Sequence, residues 1–402
     1  VGGRESAALM RLLFIITGLG TGGAERMLVK LLATLAGRQC ECAVVSLLDA
    51  GSQGAPIRAL GIPVSELRIN RPAGLVAAPF RLAAIARRFR PDAIQGWMYH
   101  GNLAALWAWL ASGRAARLVW GVRQTFHGMA REKPATRLVI RLNALCSRLP
   151  AAIIFNSRAS AGQHAAIGFV SGQAAVIPNG FDPRGFHPDA EARAQRRAEL
   201  GIVADAPVVG LMARYHPMKD HEGFLQAAAL IARELPEARF VLAGSGVDTA
   251  NAAIGARIDA LGLSSRVRLL GEVAAPETLY PAFDVLALSS AWGEAFPNVL
   301  GEAMACGVPC VATAVGDAEW IVGDTGAIVA PAQPAALAQR TVELLRLSAV
   351  ERSALGERAR ARVLKLFALG AVAEDYRQCY ATGAIRAECR YQAPPGGAES
   401  RR

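Results

Sequence analysis

Three observations predict an α/β fold made of two doubly wound domains, each with a parallel sheet. Strand-like and helix-like segments alternate along nearly the whole chain, as in parallel sheets joined by crossover helices. Residues 177–189 interrupt the alternation with three prolines and two glycines, a composition typical of interdomain linkers. The 402 residues, 52% of them apolar, suffice for two or three domains of about 150 residues with cores of their own.

The linker divides the chain into a first domain over residues 1–185 and a second over 186–370. Residues 371–402 are expected to form a C-terminal helix and a disordered tail, because the tail is polar and rich in Gly and Pro. The strands of the first domain are predicted near residues 12–17, 42–48, 92–96, 118–121, 152–156 and 175–177. Those of the second are predicted near 208–212, 240–243, 267–270, 285–288 and 310–312, before helices near 334–367 and 371–380.

Charge is distributed unevenly along the chain. Residues 1–185 contain 22 Lys and Arg against 8 Asp and Glu, a balance of +14, whereas the remainder has a balance of −3. Nucleic acid, an anionic membrane or a phosphorylated substrate would each suit such a basic half. No nucleic-acid-binding motif is present, so no nucleic-acid partner is expected. Residues 81–91 and 137–150 mix arginines with apolar residues at helical spacing, which fits either a solvated basic helix face or contact with a membrane.

The seven cysteines show neither disulfide nor zinc spacing, so no structural metal is expected. No run of eighteen apolar residues occurs, and the N-terminus lacks the order of a signal peptide. These features predict a reduced, cytoplasmic location, with peripheral contact to the inner face of the membrane left open.

A glycine-rich turn follows the first predicted strand. Gly18, Gly20 and Gly23 fit the G-x-G-x-x-G pattern of dinucleotide-binding loops, and a helix is predicted from about Ala24. Asp49, placed 26 residues after Gly23, is a candidate for the acidic ribose ligand of such a site. The pattern alone is weak evidence, and it leaves open whether the loop binds NAD or approaches another phosphate.

Two acidic residues flank a predicted helix start in the second domain. Glu294 lies just after an apolar strand, Pro297 is at the expected first helical position, and Glu302 is on the helix. The helix start directs the backbone N–H groups of Asn298 and Val299 outward, where they favour a phosphate. Carboxylates beside a phosphate site are reasonable if they accept hydrogen bonds from sugar hydroxyls, so the pattern indicates a nucleotide sugar.

Two basic residues are expected at a neighbouring strand end. Arg214 follows the strand near residues 208–212, and Lys219 precedes the next helix. A guanidinium matches phosphate oxygens in a planar fork, and an ammonium adds a mobile point charge. Together with Glu294 and Glu302 they suggest a binding site for a sugar diphosphate.

On these residues the chain resembles the family-4 retaining glycosyltransferases of GT-B fold, in which two Rossmann-like domains face each other across a cleft. The motifs that carry the resemblance run in family order through most of the chain: GGAE (22–25), NSRASAGQH (156–164), VIPNGFD (176–182), ARYHPMKDHEGF (213–224), LAGSG (242–246) and the two glutamates separated by seven residues.

The resemblance implies a role for each matching residue. Arg214 and Lys219 would bind the donor diphosphate, Glu302 the ribose, and Glu294 the transferred sugar. The turn at Gly22 and Gly23 would approach the donor phosphate, which favours a phosphate-approach loop over an NAD site.

The sequence departs from the family pattern at two places. Ala295 replaces the glycine that usually follows the first glutamate, and Gly316-Asp317 replaces the usual pair of glycines. Both changes weaken any inference about which sugar is transferred.

Further candidates come from the first domain. Arg123 and His127 follow the strand near residues 118–121, and His100 lies at the end of the strand near 92–96. His127 is a candidate catalytic residue, while Arg123 and His100 are candidates for the acceptor side. Each also has a structural interpretation, as a packed or solvated loop residue.

The resemblance implies transfer of a sugar, with retention, from a UDP- or GDP-sugar to a glycan or lipid-linked acceptor. No metal-binding D-x-D motif occurs in a suitable loop, so neither a metal nor another cofactor is expected. Alternatives are a nucleotide-sugar 2-epimerase of the same fold, an NAD-dependent oxidoreductase and a non-catalytic binding module.

Overall fold

A computed structural model describes residues 9–129, 132–383 and 389. It divides the chain into two compact units. Unit 1 comprises Val1–Gly180 with Leu369–Arg402, and unit 2 comprises Phe181–Ala368. The first division lies inside the predicted linker, five residues before the expected domain boundary at 185/186.

Unit 1 contains seven strands in one parallel sheet of order β3-β2-β1-β4-β5-β6-β7. Its elements up to the linker are β1 (Met10–Ile16), α1 (Gly23–Ala36), β2 (Cys40–Ser46), α2 (Gly54–Ala59), β3 (Val64–Glu66), α3 (Pro72–Phe89), β4 (Ala93–Trp97), α4 (Met98–Ala111), β5 (Arg117–Val122), α5 (Pro134–Cys146), β6 (Ala152–Phe155), α6 (Arg158–Ala166) and β7 (Ala174–Val176). Strand β1 pairs with both β2 and β4, so the strand order reverses beside it.

Unit 2 contains six strands in a second parallel sheet, of order β10-β9-β8-β11-β12-β13. Its elements are α7 (Ala190–Glu199), β8 (Val208–Met212), α8 (His221–Glu234), β9 (Arg239–Ala243), α9 (Ala252–Ala260), β10 (Val267–Leu269), β11 (Val285–Leu288), α10 (Asn298–Ala305), β12 (Cys310–Thr313), α11 (Ala318–Val322), β13 (Ala327–Val329), α12 (Pro334–Leu345) and α13 (Ala349–Phe367).

The last described helix returns to unit 1. Helix α14 (Leu369–Thr382) packs against α1, and its Tyr376 and Tyr380 contact Trp97 and Phe14 of the sheet. Right-handed crossovers from β1 to β2 and from β4 to β5 run in opposite directions across the sheet. Helices α1, α2 and α14 therefore cover one face of unit 1, and α3, α4 and α5 cover the other.

A central strand of each sheet is buried along its whole length. All five residues of β4 and all four of β11 are buried, because helices cover both faces of each sheet. The predicted α/β fold with two parallel-sheet domains is confirmed. The apolar runs that predicted these strands are the sequence signature of such two-sided burial.

Three local features differ from the sequence prediction. The strands β3 and β13, each of three mostly half-buried residues, were not predicted. The helix expected over 334–367 is two helices, separated where Ser348 forms a capping box with Glu351. The helix after residue 371 starts at Leu369 and belongs to unit 1 rather than to a segment of its own. Most of the tail predicted to be disordered lies outside the described residues.

Two further expectations concern cysteines and membrane spans. Each of the seven cysteines is a free thiol, and Cys40 and Cys42 are buried. Over residues 9–129, 132–383 and 389, no helix combines the length and apolarity needed to span a bilayer.

Candidate functional site

The ends of two neighbouring strands in unit 2 bring the predicted charged residues together. Lys219 ends a short 3₁₀ helix that follows β8, and Glu294 lies in the loop after β11, the strand beside β8. The Nζ atom of Lys219 lies 2.5 Å from Oε1 of Glu294. Their side chains are only 14% and 9% exposed, so this ion pair is largely shielded from water.

Hydroxyl groups at the strand ends hold the ion pair in position. Ser290 Oγ donates to Glu294 Oε1 over 2.6 Å, and Thr313 Oγ1, at the end of β12, donates to the carbonyl oxygen of Ser290. Ser289 Oγ lies 2.9 Å from the carbonyl oxygen of Lys219, so it donates to the loop that carries the lysine. The carboxyl ends of three adjacent strands therefore support the carboxylate of Glu294 and the ammonium group of Lys219. Sequence reasoning missed these hydroxyls, although the Ser-Ser pair at the end of β11 is a visible signal.

Glu302 lies on α10 and is held by a buried phenol. Tyr280 is fully buried, and its hydroxyl donates to Glu302 Oε2 over 2.7 Å. Burial, reinforced by the charge of Glu302, raises the pKa of Tyr280 well above its ordinary value. The phenol therefore stays protonated and acts as a donor, which fixes one carboxylate oxygen of Glu302. No local sequence signal identifies Tyr280, because it lies 22 residues before the acid it contacts.

Helix α10, which carries Glu302, directs the positive end of its dipole toward its start at Asn298, as the sequence predicts. The helix starts at Asn298, and its first turn contains no acidic residue. Pro297 is the N-cap residue, one position earlier than predicted, and proline has no side-chain oxygen to cap the helix. The first N–H groups of a helix have no intrahelical acceptor, so the start at Asn298 and Val299 is suited to bind an anion.

Arg214 lies on the loop after β8 with an exposed side chain that makes no ion pair within the described residues. The backbone of this loop is fixed by the segment after β9, since the Tyr215 N–H donates to the Ser245 carbonyl over 2.8 Å. Gly244 has φ +150°, and a Cβ atom there would overlap the Ala213 carbonyl. The guanidinium is therefore presented on a rigid backbone.

The loop at Gly316 contacts the backbone of Glu294. Gly316 has φ +60°, and a Cβ atom there would overlap the carbonyl oxygens of Glu294 and Ala295. The Asp317 N–H donates to the Ala295 carbonyl over 2.9 Å. Gly316 is therefore required sterically, and Asp317, in place of the second glycine, contacts the same backbone through its N–H group.

A buried histidine supports the Arg214 loop from below. His221 is 4% exposed, and its Nε2 lies 3.3 Å from the Ala213 carbonyl, which makes this nitrogen the donor of a neutral ring. Burial lowers the pKa of His221 to about 4, and the nearby charge of Lys219 contributes in the same direction. Sequence reasoning did not single out this residue.

The candidates from the first domain all lie in unit 1. Arg123 is buried, donates to Tyr376 Oη over 2.5 Å and to Asn179, and lies 4.6 Å above the Trp97 ring. These contacts tie the guanidinium to α14 and to the linker. His127 Nε2 is 2.7 Å from Thr125 Oγ1.

His100 is half-buried on α4, and burial lowers its pKa. The contacts of Arg123 and His127 and the half-burial of His100 agree with the structural interpretation of these residues.

The glycine loop of unit 1 carries a negative charge of its own. Gly22 is the N-cap residue of α1, and a Cβ atom at this position would overlap the carboxylate of Glu25. Asp49 lies three residues beyond β2, where its Oδ1 accepts from the Gly51 N–H over 3.1 Å. Asp49 therefore caps its own turn, and the carboxylate of Glu25 lies against the start of α1.

Within the described part of the chain, no three His, Cys, Asp or Glu residues lie close enough together to hold a metal ion.

Two family models match the chain. A model described as "Glycosyltransferase Family 4" matches residues 21–184, and one described as "Glycosyl transferases group 1" matches residues 206–347. The chain belongs to the GT4-like glycosyltransferases. The group 1 match in the second half includes Arg214, Lys219, Glu294 and Glu302.

Known proteins similar to this GT4-like chain fall into two groups. D-inositol 3-phosphate glycosyltransferases of Mycobacterium bovis and Mycobacterium tuberculosis are 37% identical over 194 residues, which is 46% of this chain and 39% of theirs. The match thus spans well under half the length of these relatives.

Solved GT-B glycosyltransferases share the fold. HepE of Anabaena, in complex with UDP, is 24% identical with a TM-score of 0.80 over 92% of this chain and 100% of that one. Sucrose-phosphate synthase of Thermosynechococcus elongatus is 21% identical with a TM-score of 0.74 over 92% and 98% of the two chains.

Proposed function

We propose that the chain is a retaining glycosyltransferase that moves a sugar from a nucleoside-diphosphate sugar to an acceptor hydroxyl. The observation that carries the proposal is the shielded ion pair of Lys219 and Glu294, with the cation Arg214 on the same loop as the lysine. Such a group of charges suits a ligand that contains both anionic oxygens and hydroxyl groups. A sugar diphosphate has both.

The proposed roles follow from the charge of each group. Arg214, Lys219 and the start of α10 bind the diphosphate, because two cations and a helix N-terminus attract the same anion. Glu302 accepts hydrogen bonds from ribose hydroxyls, with Tyr280 holding its other oxygen. Glu294 accepts from hydroxyls of the transferred sugar. Since Lys219 is already paired with Glu294, a bound diphosphate would share the lysine with the acid.

The reaction breaks the bond between the anomeric carbon and the diphosphate oxygen and forms a bond from that carbon to the acceptor oxygen. The acceptor attacks on the face from which the diphosphate leaves, which retains the configuration without a protein nucleophile, and its proton passes to the departing phosphate, which replaces a protein base. Negative charge grows on the diphosphate as the bond breaks, and preorganised cations lower the cost of that charge. We propose that no metal takes part, since two basic residues serve as the counter-charge.

Several finer assignments belong to the same proposal. The HepE structures contain UDP and, in one complex, UDP-glucose, so UDP-sugars are the first donors to test and GDP-sugars the second. The acceptor is proposed to be a glycan or a lipid-linked sugar in polysaccharide or glycolipid assembly, reached from the cytoplasmic side of a membrane. Gly22, Gly23 and His127 stay predicted donor and catalytic contacts, and Arg123 and His100 stay predicted acceptor contacts.

Neither alternative activity gains support from a specific contact. A dinucleotide at the glycine loop would place its pyrophosphate against the Glu25 carboxylate, which is unfavourable for two anions. A 2-epimerase would use the same unit 2 residues, so only its product separates it from a transferase.

The experiment is a screen of UDP- and GDP-sugars, with glycan and lipid-linked acceptors, for release of the nucleoside diphosphate in the presence of EDTA. The expected result is acceptor-dependent release, with NMR of the product giving the same anomeric configuration as the donor. Recovery of an epimerised sugar without glycoside would identify the epimerase. Inverted product, or turnover abolished by EDTA and restored by Mg²⁺, would contradict the proposed mechanism.

A further inference from the structure

Exposed apolar side chains cluster on one helix layer of unit 1. On α3, Val76 and Phe80 are 73% and 75% exposed, and on α5 Leu138 and Leu145 are 59% and 77% exposed. Apolar exposure concentrated on neighbouring helices indicates an interaction surface, whereas scattered exposed apolar residues do not.

Helix α4 lies between α3 and α5 and joins them into one layer. Trp107 of α4 donates from Nε1 to the Pro79 carbonyl of α3 over 2.9 Å, and Asn143 of α5 donates to the Tyr99 carbonyl of α4 over 3.1 Å. We call the outward side of these three helices the basic helix face. It is defined by the exposed residues Val76, Phe80, Arg88, Leu138, Arg141 and Leu145.

The exposed leucines of α5 form a regular stripe. Leu138, Leu142 and Leu145 recur at intervals of four and three residues, the spacing that keeps side chains on one side of a helix. Ile140 and Asn143 are buried on the opposite side, where α5 packs on its unit. The leucines of the stripe are therefore not the residues that pack α5 against its unit.

The charge around the stripe has a single sign. Helices α3, α4 and α5 contain no Asp or Glu, and residues 70–150 contain 13 Lys and Arg against 2 acidic residues. Arg88, Arg141 and Arg148 are exposed on or beside the apolar residues. A partner must therefore offer anionic groups over an apolar interior. A second copy of the chain would bring like charges together.

We propose that the basic helix face docks on an anionic phospholipid bilayer, with Phe80 and Leu145 at the boundary of headgroups and acyl chains and the arginines on lipid phosphates. This geometry is that of an amphipathic interfacial surface, in which apolar burial and attraction to anionic lipid act together. The inference deepens the proposed function by specifying the surface at which a lipid-linked acceptor is met. Docking itself requires neither donor nor acceptor.

Flotation of the full chain with vesicles tests the proposal. Vesicles of phosphatidylcholine alone are compared with vesicles containing phosphatidylglycerol, for the wild type and for Leu145→Glu. The matched control is Val350→Glu on α13, because Val350 is 80% exposed and lies in unit 2. We expect binding only to the anionic vesicles, about tenfold weaker partitioning for Leu145→Glu, and wild-type partitioning for Val350→Glu.

A second arm separates attraction to charge from apolar insertion. The triple variant Arg88→Gln, Arg141→Gln, Arg148→Gln should lose about fivefold in partitioning per arginine at low salt, and 0.5 M NaCl should weaken wild-type binding. Equal binding to neutral and anionic vesicles, or flotation of Leu145→Glu at the wild-type level, would overturn the proposal. So would a dimer in lipid-free solution that Leu145→Glu dissociates.

A second readout, release of UDP from the donor in lipid-free solution, separates the test of docking from the test of the proposed function. Leu145→Glu should retain wild-type release, since Leu145 contacts none of the proposed donor residues. Loss of flotation with unchanged UDP release would overturn only the docking proposal. Unchanged flotation without any UDP release would overturn only the proposed function.

Discussion

Each unit begins a helix shortly after a central strand, but the charged groups around the two helix starts differ. In unit 1, α1 follows the glycine turn and has Glu25 in its first turn, with the carboxylate against Gly22. In unit 2, α10 has no acid in its first turn, and two cations follow the neighbouring strand β8. A glycine pattern opens space for a phosphate, whereas the surrounding charges decide whether an anion is bound there.

The largest expected effect comes from the cations of unit 2. Lys219→Ala and Arg214→Ala should each lower kcat about 10²–10³-fold, because each removes a preorganised charge that acts mainly in the transition state. The double variant should lose less than the sum in free energy, since both residues act on one diphosphate. Steady-state kinetics of UDP release measures this. Strict additivity, or unchanged kcat in both variants, would show that the pair does not share a leaving group.

Both units should lose stability in acid, because each holds one buried neutral histidine. Burial lowers the pKa of His164 in unit 1 and of His221 in unit 2 to about 4. Unfolded histidine has a pKa of about 6.5, so below that pH the unfolded state takes up the proton first. Each histidine should therefore reduce the free energy of unfolding by about 3 kcal/mol between pH 6.5 and pH 4.

Thermal unfolding from pH 7.5 to pH 4.5 measures the effect. His221→Gln should flatten the loss of stability below pH 6.5, in spite of the nearby charges of Lys219 and Asp220. Identical pH profiles for the variant and the wild type would mean that His221 is not held neutral by its surroundings.

A smaller effect is expected at Tyr280. Tyr280→Phe removes the donor that holds Glu302, so the donor KM should rise about tenfold, as expected for loss of a hydrogen bond to a charged group worth about 1.5 kcal/mol. The kcat should change little, because a ribose contact is the same in the ground and transition states. Glu302→Ala should shift KM in the same direction and further.

The matched control for this prediction lies in unit 1. Tyr376 is also fully buried and hydrogen-bonded to a charged group, Arg123. Tyr376→Phe should leave the donor KM unchanged. Equal KM shifts in both variants would point to a general loss of stability rather than to positioning of Glu302.

The smallest effect is expected at the glycine loop. A Cβ atom at Gly20 has no heavy atom within 4 Å, so Gly20→Ala should fold normally. Donor KM and kcat should stay near wild type. In a dinucleotide site this glycine is the one that lets the backbone approach the pyrophosphate, and its substitution would be severe.

The sequence predicts the sheets and the charged residues of the site but not the contacts among them. Long apolar runs reveal strands buried on both faces, whereas β3 and β13, of three residues each, contain no such run. The positions of Lys219 and Glu294 after strands that are neighbours in the sheet follow from fold class alone. The Tyr280–Glu302 hydrogen bond and the return of α14 to unit 1 depend on tertiary packing, for which no local pattern exists.

We expect Arg214, Lys219 and the start of α10 in unit 2 to supply most of the binding of the nucleoside diphosphate, and the glycine loop of unit 1 not to be a dinucleotide site. Calorimetric titration of UDP into the wild type, Arg214→Ala, Lys219→Ala and Gly20→Ala tests it directly, with NADH titrated in parallel. We predict at least tenfold weaker UDP binding for the two unit 2 variants, by about 1.4 kcal/mol or more. We also predict wild-type binding of UDP for Gly20→Ala and no binding of NADH. Wild-type UDP affinity in Arg214→Ala and Lys219→Ala, with NADH binding that Gly20→Ala abolishes, would contradict the account.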